Sequence, residues 1–120
     1  MKYLALVYFD EKTMAAMPEA DWASLNRECI ECSDGLRASG HLLDGAPLEP
    51  TTTATTLRVR NGKLSVTDGP FAETREQLAG FYMLEARDLN EAIQLASKIP
   101  PARYGSVEVR PVRSLDPFRL

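Results

Sequence analysis

The pair Asn61-Gly62 constrains the fold more than any other feature, because it separates two short runs of alternating apolar and polar residues. Asn-Gly is the preferred centre of a type I′ turn, whose twist matches that of two paired antiparallel strands. Folding about this turn fixes the register of the pairing. The opposed residues are Val59 with Leu64, Leu57 with Val66, and Arg58 with Ser65. The sequence therefore predicts a β-hairpin with one apolar and one polar face.

The same register places Asp68 opposite Thr55, on the apolar face of the hairpin. We therefore expect its carboxylate to point inward at a strand end, where partial desolvation suits acid–base or ligand chemistry. A structural interpretation stays open, because Asp before Gly69-Pro70 is typical of a turn. In such a turn the carboxylate accepts the Phe71 amide and caps a short helical segment. One carboxylate can serve both purposes.

Apolar periodicity predicts two helices and four further strands. The helices span roughly 18–39 and 88–99, and the strands span roughly 3–9, 41–46, 78–86 and 106–112. The buried stripes are Trp22, Leu25, Cys29, Cys32 and Leu36 in the first helix, and Leu89, Ala92, Ile93, Ala96 and Ile99 in the second. Two pairs have capping-box spacing, Thr74 with Gln77 and Asp88 with Glu91. The order of elements predicts an α+β, ferredoxin-like plan, β-α-β-hairpin-β-α-β, with the hairpin as an insertion.

The strands at 3–9 and 78–86 are apolar on both faces. Two helices can cover one face of a sheet, so the other face requires a cover that a chain of 120 residues lacks. We expect a second copy of the chain to provide it, which predicts a homodimer. The length and the 44% hydrophobic content suit a single domain over 1–120.

Composition argues against several classes of function. The formal net charge is −3 and the 14 basic residues are scattered, so we expect neither direct nucleic-acid binding nor a membrane anchor. Small neutral or cationic ligands and protein partners remain open. Two cysteines give no disulfide framework, which predicts a cytoplasmic location. The sequence contains no glycine-rich phosphate loop and no His-rich metal motif, and we expect no cofactor.

His41 is the single histidine, and histidine is the side chain that ordinarily exchanges a proton near neutral pH. It can act together with Asp68 only if the fold brings the two side chains within about 3 Å. Glu73 and Glu76 could add a second carboxylate for acid–base chemistry or a metal, although solvated surface glutamates are commoner.

Five further residues are candidate contacts of a ligand cleft: Phe71, Gly80, Tyr82, Tyr8 and Arg58. Gly80 lies near the start of a strand, where a backbone or a ligand can approach closely. The aromatic residues are equally typical of core packing, and Arg58 lies on the polar face of the hairpin. Cys29 and Cys32 have the spacing of a redox motif, but they lie in the middle of a helix on its apolar stripe. We interpret them as core residues.

The run from Val66 to Tyr82, with Asp68-Gly69-Pro70-Phe71 near its start, resembles the signature of the YCII-related superfamily, in the branch named after the Asp-Gly-Pro-Phe motif. Similar passages at 40–43, 86–92 and 108–112 extend the resemblance over nearly the whole chain. The resemblance implies a dimeric α/β barrel from a group of small, mostly bacterial proteins. The superfamily carries a proposed His–Asp pair with the histidine on the first helix. Here that helix has no histidine, so only His41 could take the role, with Asp68 as the acid.

Two hypotheses follow. The first is a homodimer that binds a small organic molecule in a cleft beside Asp68 and performs cofactor-free, lyase-like acid–base chemistry on it, because the superfamily includes an enzyme of that kind. The second is a non-catalytic binding or regulatory module with a sigma-factor-type protein partner, which the resemblance also implies.

Overall fold

The computed structural model of the protein describes residues 1–115. The strands in this range are β1 Lys2–Phe9, β2 Leu42–Pro47, β3 Thr55–Arg60, β4 Lys63–Asp68, β5 Gln77–Glu85 and β6 Ser106–Pro111. The α-helices are α1 Glu11–Ala15, α2 Glu19–Ala38 and α3 Leu89–Ala96, and 3₁₀ turns lie at Thr51–Thr53 and Pro100–Arg103. None of the helices in residues 1–115 is long and apolar enough to cross a membrane.

The main sheet has the strand order β2-β5-β1-β6, and every neighbouring pair is antiparallel. One face of this sheet packs against α2 and α3, because alternate residues of the strands point toward the helices. The core between them consists of Tyr3, Ala5, Val7, Leu36, Leu42, Leu84, Ala86, Ala92, Leu95, Ala96 and Ile99. The arrangement is α+β and compatible with a ferredoxin-like fold.

The other face of the sheet, here called the open face, carries large apolar side chains from β1 and β5. These are Leu4, Leu6, Tyr8, Phe81 and Met83, and all are partly exposed. The polar residues Glu108 and Arg110 of β6 lie beside them in register with Leu6 and Leu4. The prediction that both faces of the central strands are apolar is confirmed.

The hairpin of β3 and β4 forms a separate two-stranded sheet. Its register is the predicted one, since Val59 pairs with Leu64 and Thr55 pairs with Asp68. Asn61 (φ 53°) and Gly62 (φ 72°) both adopt the left-handed conformation that a type I′ turn requires. The predicted inward orientation of Asp68 is wrong within a single chain, where Asp68 and the whole apolar face of the hairpin are exposed.

Two local expectations are also wrong, and one helix was not predicted. Residues 69–76 contain no helical turn, and the Asp68 carboxylate has no hydrogen-bond partner within residues 1–115, so it caps nothing there. Helix α3 buries Leu95 instead of Leu89 and Ile93, which are each 49% exposed. Helix α1 was not expected. It begins because the Asp10 carboxylate accepts the Lys12 amide (3.0 Å) and it buries Met14.

Candidate functional site

A cavity of about 590 Å³ lies between α2 and the edge of the sheet formed by β2 and β5; we call it the helix cavity. Its walls are largely apolar. The lining includes Val7, Phe9, Trp22, Leu25, Asn26, Cys29, Ser33, Pro47, Leu48, Ala79, Gly80 and Tyr82, together with the charged pair Asp34 and Arg37 (3.5 Å). A volume of this size is typical of pockets for small organic ligands, which combine apolar walls with a few polar groups.

Two titratable groups on these walls, Tyr82 and Cys29, stay protonated at neutral pH. Burial raises the pKa of Tyr82, although hydrogen bonding with the neighbouring Ser33 side chain opposes the increase. Burial also raises the pKa of the Cys29 thiol, and the nearby Cys32 and Glu28 add to the increase while Arg103 opposes it. Tyr82 and Cys29 therefore face the cavity as neutral groups that can donate hydrogen bonds, with Asn26 and Ser33 as further polar partners.

A second, wider space of about 950 Å³ lies beside Gly69 and Pro70, in the middle of the Asp68–Phe71 segment; we call it the loop cleft. Gly69 and Pro70 form one wall, and α1 and residues 48–52 form another. Phe9, Trp22, Leu48 and Ala79 line both spaces, so the two adjoin. Together they form one continuous space, which is largely apolar in the helix cavity and more polar in the loop cleft.

Hydrogen bonds through Glu11 hold the walls of the loop cleft in place. The Glu11 carboxylate accepts the Thr51 amide (2.9 Å) and the Thr51 hydroxyl (2.8 Å). Its own amide donates to the Gln77 side chain (2.9 Å) at the start of β5. Gln77 in turn donates to the Thr74 carbonyl (2.6 Å). Thr74 and Gln77 therefore do secure the turn before β5, but without the helix that a capping box would begin.

Among the residues predicted from sequence, Gly80 and Tyr82 line the helix cavity. A Cβ atom on Gly80 would lie 2.9 Å from the Ala46 carbonyl oxygen and 3.2 Å from the Pro47 Cα atom, so β2 crosses this position closely. Close approach of a backbone is therefore one reason for glycine here. A ligand contact at Gly80 or Tyr82 remains a prediction.

The other predicted residues lie in separate places. Asp68 and Arg58 are exposed on opposite faces of the hairpin, and Phe71 is 78% exposed on the loop that follows it. Tyr8 lies on the open face. Glu76 accepts a hydrogen bond from the Ser106 hydroxyl (2.8 Å). Ser106 is the β6 residue that pairs with Tyr8, so Glu76 lies at the same end of the sheet as Tyr8.

His41 lies at the opposite end of the sheet from Asp68. Gly40 (φ 80°) ends α2, the His41 amide bonds back to the Leu36 carbonyl (2.9 Å), and the ring nitrogen Nδ1 contacts the Glu85 carbonyl (2.8 Å). The loop after Asp68 borders the other end, near Phe9 and Leu48. Seven residues of extended chain separate His41 from Leu48, which corresponds to about 23 Å. The condition for a His41–Asp68 pair is therefore not met within one chain.

Four cavity residues were missed as a group from the sequence. Trp22, Asn26, Cys29 and Ser33 recur at steps of four, three and four, so they share one face of α2. Polar residues interleaved in an otherwise apolar stripe were the available signal. Within residues 1–115, no group of three or more His, Cys, Asp or Glu side chains is placed to hold a metal ion.

Comparison with known proteins agrees with the family resemblance of the sequence. The model of the YCII-related domain matches residues 1–116. The chain belongs to the YCII-related family. One relative is the "Uncharacterized protein R00369" of Rhizobium meliloti (strain 1021), which is 38% identical over 122 aligned residues. The alignment covers the whole of this chain and 98% of that protein.

Proposed function

We propose that this YCII-related protein is a homodimer that binds a small organic molecule with a mostly apolar body. The ligand occupies the helix cavity and extends into the loop cleft beside Gly69 and Pro70. The observation that carries this proposal is the helix cavity itself, which offers about 590 Å³ of largely apolar space next to the more polar loop cleft.

The chemistry of the walls suggests which ligands fit. Tyr82 and Cys29 present neutral hydrogen-bond donors, because burial raises the pKa of both. The two charged lining residues, Asp34 and Arg37, are exposed and pair with each other (3.5 Å), so a formal charge deeper in the apolar part of the cavity would lose its hydration without gaining a free partner of opposite charge. We therefore expect a neutral body, with any polar or charged group directed into the loop cleft.

The open face supports the homodimer. Its apolar strip from β1 and β5 is flanked by Glu108 and Arg110, which matches the usual pattern of an apolar interface centre with a polar rim. Two sheets that meet through this face would form the α/β barrel that the resemblance implies. A cytoplasmic location belongs to the same proposal.

Binding has more support than catalysis. Acid–base chemistry needs at least two titratable groups that converge on one cleft, whereas His41 and Asp68 lie at opposite ends of the sheet. Lyase-like chemistry would then depend on Asp68 with another group. The described residues offer nothing that favours a sigma-factor-type partner over a second copy of the chain.

The fluorescence of Trp22 provides the test, because it is the only tryptophan and lines both spaces. N-phenyl-1-naphthylamine, a neutral apolar dye that accepts energy from tryptophan, should quench Trp22 and saturate at one site per chain. Ser33→Phe fills the cavity and should weaken the dye about tenfold or more, a loss of about 1.4 kcal/mol.

The matched control is Glu31→Phe, which adds the same side chain to an exposed position of α2 outside the cavity. It should leave the affinity within about twofold. Unsaturable quenching, or an equal effect of the two variants, would remove the cavity as the binding site.

A further inference from the structure

The hairpin of residues 55–68, here called the hairpin arm, has two chemically different faces. One face is apolar, and its four side chains are 57–64% exposed: Leu57, Val59, Leu64 and Val66. The other face is polar and basic: Thr56, Arg58, Arg60, Lys63, Ser65 and Thr67. A strict alternation of this kind specifies one register strongly when one face is buried. Within a single chain, neither face is.

The arm stands apart from the main sheet. It is closed at its base by hydrogen bonds from the Thr56 hydroxyl to the Gly69 carbonyl (2.8 Å) and from the Gly69 amide to the Ala54 carbonyl (2.8 Å). The radius of gyration is 16.4 Å, whereas a compact domain of this length has about 14 Å. A two-stranded hairpin alone is marginally stable in water, so an arm with an exposed apolar face requires a partner surface.

We infer that the hairpin arm packs its apolar face against a second copy of the chain and places Asp68 at the edge of that contact. The inference rests on the homodimer of the proposed function and adds the arm to its interface. Asp68 is included because it lies on the same face as Val66 and Leu64, at the base of the arm.

The area needed for a stable dimer favours a second copy as the occupant. The arm exposes an apolar patch on the order of a few hundred Å², the size of the largest patches on ordinary monomers. A standard interface buries about 800 Å² on each partner. The arm alone falls short of that area, and the apolar open face adds to it. Both surfaces are present on every copy, so a two-fold dimer buries both twice.

The dimensions of the arm agree with this arrangement. Six residues in each strand give an arm of about 20 Å. A four-stranded sheet measures about 14 Å from its first to its last strand, so the arm is long enough to reach across a second copy. The basic face of the arm then stays in solvent. In this arrangement the partner adds a wall to the loop cleft, because Gly69 and Pro70 at the base of the arm border that cleft.

Two neighbouring residues on β4 give a matched test. Val66→Lys puts a charge on the apolar face, and Ser65→Lys puts the same charge on the polar face. In sedimentation equilibrium we expect Val66→Lys to raise the dimer dissociation constant by about tenfold or more, because two unpaired charges enter the interface. Ser65→Lys should leave it within about twofold.

A second measurement tests the same contact in case Val66→Lys fails to fold. Replacing Leu64 with a photo-crosslinking phenylalanine analogue should yield a covalent dimer on irradiation, whereas the same analogue at Ser65 should not. The arm is not in the interface if the wild type dimerises and two results hold. The first is that Val66→Lys and Ser65→Lys have the same dimer dissociation constant, and the second is that the cross-linker gives the same yield of covalent dimer at Leu64 and at Ser65. If the wild type is monomeric at every concentration, the homodimer itself is wrong.

Discussion

Cys29 and Cys32 show how the environment of a residue decides its chemistry. Burial raises the pKa of both thiols, and for Cys32 the nearby Lys98 opposes the increase only in part. The thiolate is the reactive form, so we expect iodoacetamide to modify both cysteines of the folded protein more slowly at pH 8 than a small free thiol. The rates should still rise about one pH unit above 8.5, where an ordinary cysteine with a pKa of about 8.5 is already largely thiolate. Peptide mass spectrometry after timed alkylation measures each site.

The same pKa shifts affect stability. A raised pKa means that the folded state holds the thiol proton more tightly than the unfolded state does. The free energy of unfolding should therefore be unaffected below the unfolded-state cysteine pKa, and should fall as the pH rises from there toward the folded-state value. Cys29→Ala and Cys32→Ala together should reduce this alkaline loss in urea titrations between pH 7 and 10. If the double variant loses stability with rising pH as steeply as the wild type does, the raised pKa values of the two thiols are wrong.

At the scale of elements, Gly80 controls how closely β2 packs on β5. Gly80→Ala would bring a Cβ atom within 2.9 Å of the Ala46 carbonyl oxygen, which belongs to the backbone and cannot rotate away. We expect a loss of about 1–3 kcal/mol in the free energy of unfolding. Chemical denaturation measures it.

Gly35→Ala in α2 is the control for the same chemical change. A Cβ atom there meets nothing within 4 Å, and alanine is the better helix former, so stability should rise by about 0.5–1 kcal/mol. Loss of stability in both variants would show that the effect does not come from the approach of β2.

Local chemistry made some elements predictable and left others open. Asn61-Gly62 made the register of the hairpin predictable, because that pair strongly prefers a type I′ turn. Gly40 marked the end of α2 for a similar reason. The stripe of α3 was partly mispredicted, because eight residues allow more than one set of three- and four-residue steps. Only contact with the sheet selects Leu95 over Leu89 and Ile93.

The candidate site was less predictable than the fold. Alternation correctly put Asp68 on the apolar face of the hairpin, but it cannot state whether anything covers that face. The helix cavity depends on the distance between α2 and the β2 edge, which no local pattern encodes. Gly80 and Tyr82, which line the helix cavity, were candidates because they lie on a predicted strand, whereas Trp22 and Ser33 lie on a helix that was interpreted as core.

At the scale of the whole molecule, the shape argues for association. The chain measures 46 × 44 × 20 Å, so it is flat, and its open face carries partly exposed leucine, tyrosine, phenylalanine and methionine side chains. Flat molecules expose more surface than spherical ones of equal volume, and apolar surface is removed from water most readily by pairing like faces. We expect a mass of twice 13.3 kDa at micromolar concentrations.

Leu6→Lys gives the sharpest test of that expectation. Leu6 lies on β1 in the middle of the open face, opposite Phe81, and a lysine there would bring two like charges into a sheet-to-sheet contact. We expect the dimer to dissociate to single chains in light scattering, and the melting temperature to lose its dependence on protein concentration. Gln94→Lys adds the same charge to the exposed side of α3 and should leave the dimer intact. If Leu6→Lys remains as dimeric as Gln94→Lys, the copies meet elsewhere. The open face would then lie outside the contact between copies, and a surface of a different protein would have to cover it.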